Sequence, residues 1–229
     1  IDPLTDLAIL KINNKSKPIT LGNIEEIKVG DVAFTVSGPS IALLSAERLV
    51  LNVMQRMSAV ATLTNKYVKE LNGLSTKVLD TRKTTPLIRF LEKQAVKIGG
   101  GVNHRYGLYD MVMLKDNHND FAGGISKSIN KTIQYLKDNK LNLKIEVETR
   151  NLEEVKEVLK IGQINRIMLD NFSYDDMRKA VQLIDGKYET EASGGINLKT
   201  VRKYAECGVD YVSVGALTHS VCNMDLSLK

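Results

Sequence analysis

Tryptophan is missing from this chain of 229 residues, and cysteine and proline are scarce, with two and four copies. Cys207 and Cys222 are far apart and no Cys-x-x-Cys occurs, which excludes a disulfide framework, a zinc knuckle and a dithiol redox motif. No apolar run approaches the roughly 18 residues that cross a bilayer. The opening Ile1-Asp2-Pro3 lacks a basic-then-apolar leader, so a reducing cytoplasm is the expected compartment and no membrane partner is expected. Aromatic residues make up only 5% of the chain and are not interleaved with arginine. With no block of about five or six like charges either, the sequence carries neither a base-stacking platform nor a nucleic-acid-binding tail.

What it does have is an ordinary globular composition, 43% hydrophobic, in a length that buries a real core. Lysine and arginine number 32 against 27 acidic residues, a net charge of +5. Spread along helix-like stretches, these cations favour a small anionic ligand over a polyanion.

From about residue 77, short apolar β-rich runs alternate with stretches of helical period, which predicts a parallel βα arrangement. The runs are 77–80, 111–115, 143–148, 166–170, 188–191 and 210–214. Between them, Asn151 with Glu154 and Ser173 with Asp176 read as helix caps with an acid three residues on. Asn197 is expected to open a further helix that Gly208 closes in a left-handed position. The repeat suits a closed barrel or a doubly wound sheet. Upstream, residues 47–71 carry one long helical period, from Val50 through Met57 and Thr64 to Leu71. Residues 28–39 suggest a hairpin with polar turns, part of a small α+β lobe ahead of the barrel.

Charged and small residues fall at the C-terminal ends of the predicted strands, where parallel α/β folds bind ligands. They are Asp80-Thr81-Arg82-Lys83, Lys115-Asp116-Asn117-His118, Glu148, Asp170, Ser193-Gly194-Gly195 and Gly215-Ala216. Arg82, Lys83, Arg105 and Lys115 suit carboxylates and phosphates. Glu148 and Asp170, from different strands, suit a hard divalent cation, and the glycines bare backbone amides for a phosphate. The set points to a phosphorylated substrate with Mg²⁺. No two of the three histidines lie at metal-ligand spacing, so no transition-metal site is expected. The loop Gly99-Gly100-Gly101-Val102-Asn103-His104-Arg105 is expected to bring its backbone close to a ligand.

Several of these segments carry a resemblance to the quinolinate phosphoribosyltransferases, the carboxylating nicotinate-nucleotide pyrophosphorylases. They are Glu47-Arg48-Leu49-Val50-Leu51-Asn52, Leu79-Asp80-Thr81-Arg82-Lys83-Thr84-Thr85-Pro86, the 99–105 loop, Leu114-Lys115-Asp116-Asn117-His118, Leu169-Asp170-Asn171-Phe172, Glu191-Ala192-Ser193-Gly194-Gly195-Ile196 and Ser213-Val214-Gly215-Ala216-Leu217-Thr218. The match runs in order from about residue 30 to the end.

The resemblance implies an α/β chain: an incomplete (β/α) barrel with fewer than eight strands over residues 50–219, preceded by a small α+β open-sandwich lobe over 1–49, to which the tail 220–229 returns. It implies transfer of a phosphoribosyl group from 5-phosphoribosyl 1-diphosphate to quinolinate with loss of CO₂, in a homodimer whose sites borrow residues from the partner. By the same resemblance, Arg82, Arg105 and Lys115 grip the quinolinate carboxylates beside Thr81, with Arg48 reaching into a neighbouring subunit. Lys83, Glu148 and Asp170 surround the ribose, diphosphate and Mg²⁺, with the two acids as metal ligands. Ser193, Gly194, Gly195, Gly215 and Ala216 take the 5′-phosphate, and His104 and His219 line the site. A molybdenum-associated homologue of the same superfamily and a non-catalytic barrel that binds phosphorylated ligands are the alternatives. Relatives commonly have glycine where this chain has Ala59 and Leu87, and packing adjustments are expected there.

Overall fold

The computed structural model describes residues 32–229. Six strands form one parallel sheet: β1 (Lys77–Leu79), β2 (Met111–Leu114), β3 (Lys144–Thr149), β4 (Arg166–Asp170), β5 (Glu189–Ser193) and β6 (Tyr211–Ser213). Their order is β1-β6-β5-β4-β3-β2. Neighbours follow the chain from β2 to β6, and β6 then pairs with β1 instead of running on outward. That is the order of a barrel cut at a single seam, between β1 and β2. A doubly wound sheet would reverse direction in mid-sheet. At the seam the 99–105 loop supplies a partial substitute for a strand. Val102 bridges Leu79, accepting from the Asp80 N–H and donating to the Val78 carbonyl.

Strand residues alternate between two environments because successive side chains point to opposite faces. Ile145, Val147, Ile167, Leu169, Ala192 and Val212 join the apolar core beneath the helices. The residues between them are mostly polar or charged, and Glu148, Met168, Asp170, Glu191 and Ser213 border a cavity at one end of the barrel. Each buried Val, Leu or Ile contributes about 1.5–3 kcal/mol, so the outward set pins the register that aims the inward set.

The helices outside are α1 (Ser40–Glu70), α2 (Arg89–Ile98), α3 (Asp116–Ala122), α4 (Ile125–Asp138), α5 (Leu152–Ile161), α6 (Tyr174–Ile184), α7 (Val201–Ala205) and α8 (Ala216–His219). The two expected caps form: Asn151 Oδ1 accepts from the Glu154 N–H at 2.9 Å and Ser173 Oγ from the Asp176 N–H at 3.2 Å. The helix expected from Asn197 starts later. Asn197 instead makes a turn, its side chain accepting from the Lys199 N–H, and α7 begins at Val201. Gly208 follows it at φ 92°.

Helix α1 begins earlier than its periodicity suggested and crosses the expected lobe boundary. Its second half is buried at Val60, Ala61, Thr64 and Tyr67. Of the hairpin expected over 28–39, the described residues 32–38 carry no strand, and 28–31, like the rest of the expected lobe before residue 32, lie outside the described residues. The C-terminal tail runs back to α1, where Gln55 Nε2 donates to the Leu226 carbonyl and the Gln55 carbonyl accepts from the Met224 N–H. Among the described residues no helix is long and apolar enough to cross a membrane.

Candidate active site

The strand ends and the loops that follow them enclose a cavity of about 830 Å³. Its rim divides into three arcs. After β1 and β2 stand the cations: Thr81, Arg82 and Lys83, then His104 and Arg105 from the seam loop, then Lys115. After β3 and β4 come the carboxylates of Glu148 and Asp170, and after β5 and β6 the small residues Ser193, Gly194, Gly195, Gly215 and Ala216, with His219 beside them. Every candidate site residue except Arg48 thus borders one cavity. Arg48 lies on α1 with a side chain 70% exposed, 3.8 Å from Glu47.

Local bonds hold the cationic arc. The Lys83 N–H donates to Thr81 Oγ1, and the Lys83 carbonyl accepts from Thr218 Oγ1 at 2.8 Å. Arg105 is buried, and its Nη1 donates to the Met111 carbonyl at 3.0 Å while its Nε finds no partner among the described residues. Burial, and then the nearby Arg82 charge, hold its pKa below the usual arginine value. Asp110 braces the same loop from the far side by accepting the N–H groups of Tyr106 and Gly107.

In the acidic arc, Glu148 opposes Met168 in the β3–β4 register and Asp170 opposes Ser193 in the β4–β5 register. The two acids therefore sit on adjacent strands, one layer apart, facing the same space. Burial raises the Glu148 pKa, Lys115 opposes the shift from 3.9 Å, and Asp170 adds to it. Two repelling hard-oxygen donors at the mouth of a cavity fit Mg²⁺, which prefers carboxylate, phosphate and water oxygens. In the third arc Gly194 and Gly195 have φ of 99° and 59°. A Cβ on Gly215 would come 2.9 Å from His219 Nε2 and 3.3 Å from Lys83 Cδ, so this loop needs the bare backbone to meet the cationic arc.

The seam-loop glycines do something other than expected. A Cβ at Gly99 would strike the Ala61 carbonyl, and one at Gly101 would come 2.8 Å from Thr64 Cγ2 and from Val96 Cγ1. They let the loop pack on α1 and α2; only His104 and Arg105 of this loop reach the cavity. His118 is a cap, accepting the Lys115 N–H at Nδ1 at the start of α3.

Spacing also gave no sign of a cluster under the floor. His104 Nε2 lies 2.9 Å from Glu146 Oε2 and 3.4 Å from Glu191 Oε2, and Arg166 Nη1 donates to Glu191 at 3.0 Å. One ligand atom from each of His104, Glu146 and Glu191 lies within 4.8 Å of the others, a grouping that could hold a metal. The Arg105 N–H, however, donates to His104 Nδ1 at 2.7 Å. That bond fixes Nδ1 as the acceptor, puts the ring proton on Nε2 and leaves no lone pair for a metal there. Burial disfavours the charged ring and the two carboxylates favour it. A second ring proton would displace the Arg105 N–H, so the bond geometry assigns the extra proton to Glu146, which burial and Glu191 raise to about 7. The signal for these residues was the strand alternation itself, Glu146 and Glu148, Arg166, Met168 and Asp170, Glu189, Glu191 and Ser193, each two apart.

Residues 60–229 match the family model described as quinolinate phosphoribosyl transferase, C-terminal domain. The chain is 50% identical over 208 residues to a tobacco (Nicotiana tabacum) protein named quinolinate phosphoribosyltransferase [decarboxylating] 1b, covering 85% of this chain and 59% of that protein. It is 44% identical over 199 residues to a Bacillus subtilis protein named probable nicotinate-nucleotide pyrophosphorylase [carboxylating], covering 87% and 68%. Among solved structures, NadC from Streptococcus pyogenes superposes with a TM-score of 0.77 at 38% identity, over 91% of this chain and 74% of that one. The chain thus spans under two thirds of the tobacco relative's length. On the strength of the matched domain and these relatives, the chain belongs to the quinolinate phosphoribosyltransferase family.

Proposed function

We propose that the chain transfers the phosphoribosyl group of 5-phosphoribosyl 1-diphosphate to quinolinate and releases CO₂ and diphosphate, forming nicotinate mononucleotide in a step that feeds NAD synthesis. The observation that carries this reading is the division of one rim into cationic, acidic and glycine arcs. A pyridine diacid, a metal-bound sugar diphosphate and a 5′-phosphate need those three chemistries side by side.

Arg82, Arg105 and Lys115, beside Thr81 and His104, bind and orient the two carboxylates of quinolinate, bringing the ring nitrogen toward the anomeric carbon. The loops at Ser193, Gly194, Gly195, Gly215 and Ala216, with His219, hold the 5′-phosphate. Lys83 joins the cationic arc to the phosphate cradle and neutralises charge on the departing diphosphate. Glu148 and Asp170 would hold Mg²⁺, which supplies Lewis-acid stabilisation of that leaving group. Once ribosylated, the ring nitrogen is cationic and stabilises the electron pair left on the adjacent carbon when its carboxylate departs as CO₂, and that carbon then takes a proton from water. This scheme asks for neither a nucleophile nor a catalytic triad.

We also propose a homodimer in which Arg48 completes the partner's site. Arg48 is exposed on α1, and Ile41 and Leu44 of the same helix are 83% and 68% exposed, an apolar stretch that suits a subunit contact. Both cysteines are free, in keeping with a reducing compartment. The test is omission: the chain is incubated with quinolinate, phosphoribosyl diphosphate and Mg²⁺, each left out in turn. CO₂ release that needs all three supports the reading, and release independent of any one refutes it.

A further inference from the structure

The turn after β4 links two arcs of the rim through one side chain. Asn171 has φ 56°, a left-handed conformation that asparagine tolerates better than most residues. Its N–H donates to the Ser193 carbonyl at 2.9 Å, which carries the β4–β5 pairing one step past the strand end. Its side-chain Nδ2 donates to Asp170 Oδ2 at 2.6 Å. The same amide lies across Gly194: a Cβ there would come 2.6 Å from Asn171 Cγ and 2.9 Å from its backbone N, and would overlap Oδ1. Asn171 thus orients a carboxylate of the acidic arc and, in the same position, requires that the neighbouring loop be glycine.

We propose that Asn171 is a positioning residue that couples Asp170 to the Gly194-Gly195 loop, so that the divalent cation and the phosphorylated sugar bind as one unit. The inference rests on the substrate assignment above. With one oxygen of Asp170 engaged by the amide, the other is presented to the cavity in a fixed orientation. Removing the amide frees the carboxylate to rotate and removes the surface on which the Gly194 backbone rests. Partners that orient a metal-binding carboxylate in this way typically change metal affinity by about 10–100-fold. Quinolinate, gripped by the cationic arc on other strands, gains nothing from Asn171.

Calorimetry on the whole chain tests this, with Mn²⁺, Mn²⁺ plus phosphoribosyl diphosphate, and quinolinate as separate titrants. Asn171→Gly keeps the left-handed backbone open to it and deletes only the amide. The expected result is roughly tenfold or greater weakening of Mn²⁺ and of the sugar diphosphate together, with quinolinate affinity unchanged. Gly194→Ala is expected to weaken the sugar diphosphate on its own, and in the Asn171→Gly background to cost less than it does alone, because the two side-chain atoms it meets are gone while the backbone N at 2.9 Å and the φ of 99° remain. Unchanged Mn²⁺ affinity in Asn171→Gly, or an equal loss for all three titrants, overturns the proposal. A wild-type chain that binds the sugar diphosphate with Mn²⁺ but releases no CO₂ refutes the proposed reaction, while a selective loss in the variant still supports the coupling.

Discussion

Lys93 of α2 and Asp80 at the end of β1, both wholly buried, meet at 2.6 Å, and together they clamp the backbone of His104. The Lys93 ammonium donates to the His104 carbonyl at 2.9 Å, and the His104 N–H donates to Asp80 Oδ1 at 2.7 Å. Burial raises the Asp80 pKa and lowers that of Lys93, each opposed by the partner's charge. The pair thus spends its attraction on its own desolvation, and its lasting effect is to place the seam loop that presents Arg105. Truncating one member strands the other's charge, which costs about 3–5 kcal/mol. Lys93→Met is therefore expected to lower stability by about that much in urea unfolding, whereas Lys93→Met with Asp80→Leu recovers only part of it, because the His104 N–H and carbonyl still lose their buried partners. If the double variant is as unstable as the single, a stranded charge is not the cause.

Leu87 offers a stabilising change. It sits at φ 68°, 94% exposed, in the turn after Pro86. A left-handed leucine costs about 1–2 kcal/mol, and glycine returns part of that as added freedom of the unfolded chain. Leu87→Gly removes no packing, so a net gain of about 0.5–1 kcal/mol is expected, a rise of roughly 1–4 °C in Tm for a domain of this size. A fall in Tm would mean that the leucine makes contacts outside this chain. The φ of 68° at this exposed position is the backbone demand that a glycine would answer.

The parallel βα order and two of the helix caps could be read without coordinates, because each rests on local pattern, strand alternation or an Asn or Ser before an acid, and fourteen of the fifteen candidate site residues border one cavity, some expected from a charged residue where a strand stops and others only from the resemblance. The seam was not legible. Which strand pairs with β6 depends on closure of the whole barrel, and nothing inside Lys77–Leu79 encodes it. The role of Gly99 and Gly101 was missed for a similar reason, since their neighbours Ala61 and Thr64 lie on a distant helix. Glu146 was passed over as one more strand residue. Its meaning comes from His104 and Glu191, which only the fold brings to it.

That buried cluster sets a pH dependence. The Glu146 pKa stands near 7 in the folded chain, above its ordinary value of 4.5. The folded state therefore holds a proton that the unfolded state has released between those values, and stability falls as pH rises from about 4.5 through 7. Glu146→Gln keeps the shape without the charge. Its unfolding free energy is expected to lose this slope and to exceed that of the wild type at pH 8, by on the order of 3 kcal/mol. Parallel wild-type and variant curves across the window would show that Glu146 is ionised throughout.

Arg105 is where geometry and proposed chemistry meet most directly. One Nη braces the Met111 carbonyl, the side chain borders the cavity, and its buried Nε has no partner among the described residues. Arg105→Ala is expected to lower kcat/KM by about 2–5 kcal/mol, roughly 30-fold to several thousand-fold, as truncation of a buried charge pair does. Arg105→Lys keeps the charge but loses the planar fork, so it should recover only part of that loss. Because the Met111 contact is lost in both variants, urea unfolding must accompany the kinetics: a stability loss matching the kinetic loss would assign Arg105 to the scaffold, and a kinetic loss at near-normal stability assigns it to the substrate.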